Sequence, residues 1–212
     1  MLDQVVYYAK TFVETVPALF GVRGVFEQPA YAVRAELGAE LEIRDYGQTM
    51  AAEATVTAAT REEASETAFR LLFAYITGAN TGSQMIAMTT PVQQAPVLIE
   101  MTAPVRVDVT DGGGQLRLAM RFSLPAKTAA NPPVPSDSRV KLVSVPATTV
   151  AALRYSGNPN ETARIAHQKL LLDRLAASEW KPSGEPYTLN YDPPFAVPFL
   201  KRNEIVVPVV HR

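Results

Sequence analysis

Two strands, a helix start and a helix follow one another twice in this sequence, and this repeated order limits the possible folds more than any other feature. Residues 40–56, ELEIRDYGQTMAAEATV, alternate apolar and polar side chains, with a break at Tyr46-Gly47. Residues 140–157, VKLVSVPATTVAALRYSG, do so again, with a break at Pro146. A shift of 100 positions places one segment on the other. We therefore expect a β-β-α half that is used twice, with pseudo-twofold symmetry.

A helix is predicted after each strand pair. Thr60 and Glu63 have the spacing of a capping box, and Thr77-Gly78 ends this helix with a glycine suited to a left-handed C-cap. In the second half Asn158 is expected to cap, with Pro159 at the first helical position and Glu161 at the third. The residues expected to face the core are Ala68, Phe69, Leu72, Tyr75 and Ile76 in the first helix, and Ile165, Leu172, Leu175 and Ala176 in the second.

Three further segments complete the expected α+β fold. Apolar residues at helical spacing predict an amphipathic helix within residues 1–24, either docked on its own domain or binding an interface or a partner. Residues 116–122 alternate apolar and polar positions, as in a strand with one apolar face. Residues 191–209 are expected to form a proline-broken segment that leads into a closing strand.

A short motif, I-x-M-T-x-P-V, occurs at residues 86–92 and again at residues 99–105. Each copy is expected to be a short strand that its proline ends. In a hairpin centred between the copies, Met88 would lie opposite Met101. The two methionines would fill irregular core space, line a soft apolar cavity, or offer a thioether to a metalloporphyrin.

Composition excludes several classes of function. The 212 residues include no cysteine and only two histidines, which removes thiolate chemistry and multi-histidine metal sites, so no metal site is expected. The net charge of −1 comes without a block of like charge, so nucleic-acid binding is not expected. A basic start with an uninterrupted apolar stretch is absent, as is a run of about 20 apolar residues. We expect a cytoplasmic protein without a transmembrane span, monomeric or weakly dimeric.

No constellation of catalytic side chains is recognised, so a binding protein is expected rather than an enzyme. His167 is expected on a solvated helix face and His211 in a disordered tail. Glu100, which replaces Ala87 in the second motif copy, would allow a carboxylate-dependent enzyme if it pointed inward.

The segment KRNEI offers a second open alternative. Arg202, Asn203 and Glu204 come directly before the closing strand. They are expected to form an ion-paired corner, or else Arg202 or Lys201 would meet a carboxylate of a ligand.

Several motifs, in this order, resemble those of the SOUL / heme-binding protein family. They are YAVRAEL with LEIRDY (31–46), YITGAN (75–80), both MT-x-PV copies, FSLP with PPVPSD (122–137), RYSG (154–157) and YDPPF with KRNEI (191–205). The resemblance covers roughly residues 29–210 and leaves the N-terminal helix outside.

The resemblance implies a distorted antiparallel β-barrel flanked by two helices and built as a duplicated half. The expected organisation is an N-terminal helix and connection at 1–24 and a single domain at 29–210, with halves at roughly 29–125 and 138–210. This agrees with the repeated order of strands and helices.

The resemblance also implies non-covalent binding of heme or a related tetrapyrrole in an apolar cleft beside the first helix, for buffering, transport or sensing. The site residues carried over are Phe69, Arg70, Leu72, Phe73, Ile76, Tyr191, Phe195 and Arg202. Glu66 and Ala74 replace the basic residues of other members, which leaves Arg70 or Arg202 to meet a ligand carboxylate. No histidine precedes His167, so histidine ligation of the iron is not expected. The alternative is an effector-binding module for another small apolar ligand.

Overall fold

The computed structural model describes residues 26–96, 116–192 and 196–212. Within these ranges the chain is α+β, as the sequence predicts. The strands are β1 Tyr31–Glu36, β2 Leu41–Tyr46, β3 Thr49–Ala58, β4 Val92–Pro96, β5 Leu116–Ser123, β6 Val140–Val145, β7 Thr148–Tyr155, β8 Trp180–Pro182, β9 Tyr187–Asn190 and β10 Asn203–His211. The helices are α1 Arg61–Ile76, the short α2 Ala126–Ala129 and α3 Glu161–Ala176, and a 3-10 turn covers Pro198–Leu200.

The described strands form one antiparallel sheet in the order β1-β2-β7-β10-β9-β4-β5-β3-β6, with β8 paired to β10. The strands β2 and β3 follow each other in the chain but do not pair. Instead β2 pairs with β7 and β3 pairs with β6, so each half of the chain completes the other. The eight strands from β2 to β6 follow a pseudo-twofold arrangement. Each strand of one half has a counterpart at the same distance from the other end of this series: β2 and β6, β7 and β3, β10 and β5, and β9 and β4.

Equivalent positions of the two halves are 99 residues apart, and not 100 as the sequence predicts. The buried pairs at this offset are Leu41 with Val140, Ala52 with Ala151, Leu72 with Leu171 and Ile76 with Leu175. An offset of 100 would place Leu41 on the exposed Lys141. In a strand, a slip of one residue exchanges the two faces of the sheet.

The predicted core of α3 is correct at one of its four positions. Leu175 is buried as expected, but Leu171 takes the inner position expected of Leu172, and Ile165 is exposed. Ala176 is exposed as well. The predicted inner face of α1 is confirmed except at Phe69, which is half-buried.

The caps of both long helices are side-chain oxygens that accept a backbone N–H. Thr60 caps α1 as predicted and accepts from the Glu63 amide at 3.2 Å, and Gly78 follows the helix with a φ of +113°. The predicted cap of α3 is wrong by two residues, because Asn160 and not Asn158 accepts from the Ala163 amide, at 2.8 Å. Asn158 instead accepts a hydrogen bond from Lys201 at 2.9 Å.

Each long helix covers its own part of the sheet. α1 packs against β3, β5 and β6, and α3 packs against β7, β8 and β10. The alternation of side chains along a strand then separates two faces. Ile205 and Val207 lie in the core under α3, whereas Val206 lies in a separate cluster with Tyr191 and Leu189.

The predicted barrel is not confirmed, because the path of described strands is open, with β1 at one edge and β6 at the other. The N-terminal helix, the second I-x-M-T-x-P-V copy with Met101, Glu100 and Phe195 lie outside the described residues. The domain boundaries therefore stay a prediction. No helix among the described residues is long and apolar enough to cross a membrane.

Candidate ligand-binding site

An aromatic pair on α1 is the part of the predicted site that faces outward. Phe69 and Phe73 lie one helical turn apart, so their rings meet on one side of the helix. The rings are stacked, with centroids 5.9 Å apart and planes inclined by 12°. Phe69 also meets the ring of Phe122 from β5 edge-on, at 5.5 Å and 67°. Both phenylalanines are half-buried, so part of each ring can meet a ligand.

Behind the pair, α1 turns its inner face to the sheet. Leu72 and Ile76 are buried in the core with Met120 and Phe122. They fix the helix on the sheet and thereby hold the aromatic pair in place. Met88 is half-buried and packs against the same core.

Arg70 lies on the solvent side of α1. Its side chain is 69% exposed and pairs with Glu66 at 3.8 Å across one turn. An exposed pair of this kind stabilises little and is easily exchanged. Arg70 therefore stays accessible, and it lies three residues before Phe73, on a neighbouring part of the helix surface.

Tyr191 and Arg202 lie in another part of the molecule, around the carboxylate of Glu204. Arg44 from β2 binds this carboxylate with both terminal nitrogens, Nη1 to Oε2 at 2.8 Å and Nη2 to Oε1 at 3.1 Å. Arg202 donates to Oε1 from Nε at 2.9 Å and from Nη2 at 2.6 Å. The Tyr191 hydroxyl donates to Oε2 at 2.9 Å, and the Arg202 guanidinium lies 4.2 Å over the Tyr191 ring.

These contacts fix the charges of the cluster. Burial opposes the charged form of Glu204, but the hydrogen bonds and charges of Arg44 and Arg202 outweigh it and hold the pKa of Glu204 below its ordinary value. Burial, and then the negative charge of Glu204, raises the pKa of Tyr191, so the phenol stays protonated and keeps donating. The cluster is the ion-paired corner that the sequence predicts for Arg202 and Glu204.

The structure thus brings together only part of the predicted site. Phe69 and Phe73 meet, with Leu72 and Ile76 behind them, whereas Tyr191 belongs to a different cluster of side chains and Arg202 is engaged by Glu204. Whether any of these residues binds a ligand stays a prediction.

Arg44 is a residue of this cluster that was not predicted from the sequence. Its side chain is 2% exposed and contacts Glu204 from 160 residues away. A charged residue at a core position of strand LEIRDY was the only signal available.

Both histidines are placed differently from the expectation. His167 is half-buried, because its ring stacks on Tyr155 at 4.0 Å and 16°. His211 ends β10, meets the Trp180 ring edge-on at 5.1 Å, and lies 3.3 Å from Glu179. No group of three or more His, Asp or Glu side chains with metal-binding geometry occurs within the described ranges.

Two cavities open on the described surface. The larger, about 710 Å³, lies at one end of β3 between Glu27, Gln48, Met50 and Leu124. The smaller, about 400 Å³, runs beside α1 past Leu71 and Ala74 to residues 136–138. None of the predicted site residues that the structure describes lines either cavity.

Comparison with known families decides the assignment. The family model described as SOUL heme-binding protein matches residues 26–208. This chain belongs to the SOUL family. The curated relatives of this SOUL chain include heme-binding protein 1 of Sus scrofa, 30% identical over 148 residues, which are 68% of this chain and 70% of the relative. The same protein of Xenopus laevis is 26% identical, over 79% of this chain and 83% of the relative.

Solved structures of low sequence identity share the fold. The EcmrR C-terminal domain superposes with a TM-score of 0.58 at 11% identity, over 81% of this chain and 98% of that domain. An uncharacterized conserved protein from Listeria innocua gives 0.53 at 13% identity, over 81% of this chain and 92% of the other. The family model and the curated relatives are named for heme binding.

Proposed function

We propose that this protein binds heme or a related tetrapyrrole non-covalently, with the flat face of the ring against the aromatic pair Phe69–Phe73. The observation that carries the proposal is the stacked, half-exposed pair on α1 of a SOUL family member. A porphyrin offers a large flat apolar surface, and burial of such surface contributes about 25 cal/mol per Å². The proposed site is narrower than the sequence expectation, because Tyr191 and Arg202 are engaged by Glu204.

Ring burial, and not a bond to iron, is the proposed source of affinity. The Nδ1 atom of His167 contacts the Ala163 carbonyl at 2.7 Å, and the ring is stacked on Tyr155 beside α3. Met88 packs against the same core as Leu72 and Ile76, and it is the described member of the two methionines that could offer a thioether instead. The comparison of heme with metal-free porphyrin distinguishes these two modes.

The test is a pair of titrations with hemin and with metal-free protoporphyrin, followed by absorbance and by tryptophan quenching. We expect similar affinities for the two ligands, and no loss in His167→Ala or Met88→Ala. A large preference for hemin that disappears in either variant would establish axial ligation and contradict binding by ring burial. Binding of neither ligand would leave the effector-type alternative, a smaller apolar ligand.

We further propose several structural and cellular properties that the resemblance in sequence implies. These are an apolar cleft around the aromatic pair, a closed barrel, a cytoplasmic location, a monomeric or weakly dimeric state, and a role in buffering, transport or sensing. The matching pairing of β2 with β7 and of β3 with β6 supports the duplicated half. Sedimentation of the purified protein tests the oligomeric state directly.

A further inference from the structure

The larger of the two cavities has the properties of a second binding site, away from the aromatic pair. Its volume of about 710 Å³ lies in the range of sites that hold small molecules, about 300–1,000 Å³. Most of its lining comes from three parts of the chain: the lead into β1 at residues 27–30, the turn from β2 into β3 at residues 47–50, and the end of β5 with α2 within residues 123–130. Neither Phe69 nor Phe73 lines it.

The apolar part of the lining is anchored on the sheet. Met50 and Leu124 line the cavity, and both pack in the core that α1 covers. The Leu124 amide donates to the Met50 carbonyl at 2.8 Å, which joins the end of β5 to the start of β3. Ala126 and Ala129 of α2 add methyl groups. A ligand can therefore bury an apolar body here.

Glu27 is the only charged residue that lines the cavity among the described residues. Its backbone carbonyl accepts from the Thr90 amide at 3.1 Å, and its Oε1 atom accepts from the Ala126 amide at 2.8 Å. These two hydrogen bonds hold the carboxylate in position. Its Oε2 atom makes no hydrogen bond or ion pair within the described ranges, so it can accept from a ligand.

The other polar groups of the lining are neutral. Gln48 donates from Nε2 to the Ser144 hydroxyl at 2.8 Å, and the Thr89 hydroxyl donates to the Ser123 carbonyl. No lysine or arginine of the described chain lines the cavity. An anionic ligand would therefore meet only the negative charge of Glu27, whereas a cation would find a complementary charge.

We propose that this cavity binds a small apolar molecule that carries an ammonium group. The ammonium group donates to Oε2 of Glu27, and the apolar body packs against Met50 and Leu124. This binding is independent of the proposed tetrapyrrole site, because the two sites share no residue.

The test compares two probes of the same shape, phenethylamine and phenethyl alcohol, on the full chain at neutral pH, where only the amine is charged. Calorimetry gives the affinities and amide NMR shifts give the location. We expect saturable binding with shifts centred on residues 27–30, 47–50 and 123–130. The amine should bind about three to five times more tightly than the alcohol, a modest factor because Glu27 is exposed. High salt should reduce this preference, since it screens the charge.

Glu27→Gln tests the role of the charge. Glutamine keeps an oxygen that can accept from the Ala126 amide but carries no negative charge. The preference for the amine should disappear, and the affinity for the alcohol should stay the same. The matched control is Glu36→Gln, since Glu36 is exposed on β1 and does not line the cavity. This variant should keep the preference.

Gly47→Leu tests the cavity itself. Gly47 lines the cavity with a φ outside the left-handed region, and a Cβ atom there would meet no atom within 4 Å apart from its chain neighbours. Leucine should fill part of the cavity and weaken the binding of both probes several-fold, while Gly47→Ala, which adds one methyl group, should weaken it less. Absence of saturable binding, equal affinities of the wild type for the two probes, loss of the preference in Glu36→Gln, or unchanged binding in Gly47→Leu would each overturn the proposal.

Discussion

Replacement of Glu204 by glutamine would keep the shape of the side chain but remove the charge that Arg44 and Arg202 share. Glu204 is fully buried and Arg44 nearly so, and the negative charge that remains beside Arg44 is that of the partly exposed Glu42, 2.7 Å from its Nε. Breaking a buried pair in this way costs about 3–5 kcal/mol. We expect Glu204→Gln to lower the free energy of unfolding in urea by that amount.

The control for this residue is Glu40→Gln. Glu40 binds Arg154 at 2.7 Å, but both side chains are about half exposed. Such a pair contributes up to about 1 kcal/mol. Equal losses in the two variants would show that burial of the Glu204 carboxylate does not matter.

Glu204 should also make the free energy of unfolding depend on pH. The pKa of Glu204 is lower in the folded protein than its ordinary value of 4.5. The unfolded chain therefore takes up the proton first as the pH falls, so the contribution is complete above pH 4.5 and is lost below it. Asp45 and Glu161 have lowered pKa values too, so the wild type and Glu204→Gln both lose stability in acid.

The difference between the two proteins isolates Glu204. Urea unfolding from pH 7 to pH 3 should show the wild-type advantage shrinking as the pH falls. An advantage that stays constant over this range would contradict the lowered pKa.

The contacts of single residues were predictable where a local sequence pattern indicated them. The segment KRNEI announced the ion-paired corner, because three polar residues precede an apolar strand. Its main partner, Arg44, was not predictable, since the contact joins strands at opposite ends of the chain. Tyr191 is only 13 residues from Glu204, but their contact depends on the pairing of β9 with β10, which the sequence does not display.

At the scale of elements, the helix caps carry a testable contribution. Thr60→Ala and Asn160→Ala each remove the side-chain oxygen that accepts the backbone N–H at a helix start. Each should lower the free energy of unfolding by about 1 kcal/mol. Thr67→Ala, inside α1, is the control and should be neutral or stabilising, because alanine favours helix. Loss of the same size in all three variants would contradict a capping role.

The positions of the helices in the sequence were largely predictable, but which side of each helix faces the core was less so. The start of α1 at Thr60 and its end before Gly78 follow from local chemistry that a sequence displays. The inner face of α3 was predicted with Leu172 in place of Leu171, because residues 170–172 are all leucine and the sequence does not show which of them faces the sheet. Weak identities between common residues cannot resolve a single-residue slip.

At the scale of the whole molecule, the order of strands was not available from the sequence. The alternation of apolar and polar side chains shows which face of a strand is apolar, but it does not show which strand pairs with it. The breaks at Tyr46-Gly47 and at Pro146 are typical of hairpins, yet β2 pairs with β7 and β3 with β6. The repeated order did predict that the two halves would be equivalent units of strand, strand and helix.

The most direct test of the central claim is the affinity for metal-free protoporphyrin of three proteins: wild type, Phe73→Ala and Phe199→Ala. Phe73 is one ring of the pair on α1, whereas Phe199 is 75% exposed on the turn at 198–200 and serves as the matched control. The loss of about 50 Å² of ring contact should weaken binding about tenfold in Phe73→Ala. We expect Phe199→Ala to bind like the wild type. Equal binding by wild type and Phe73→Ala, or an equal loss in Phe199→Ala, would contradict a tetrapyrrole site on the aromatic pair of α1.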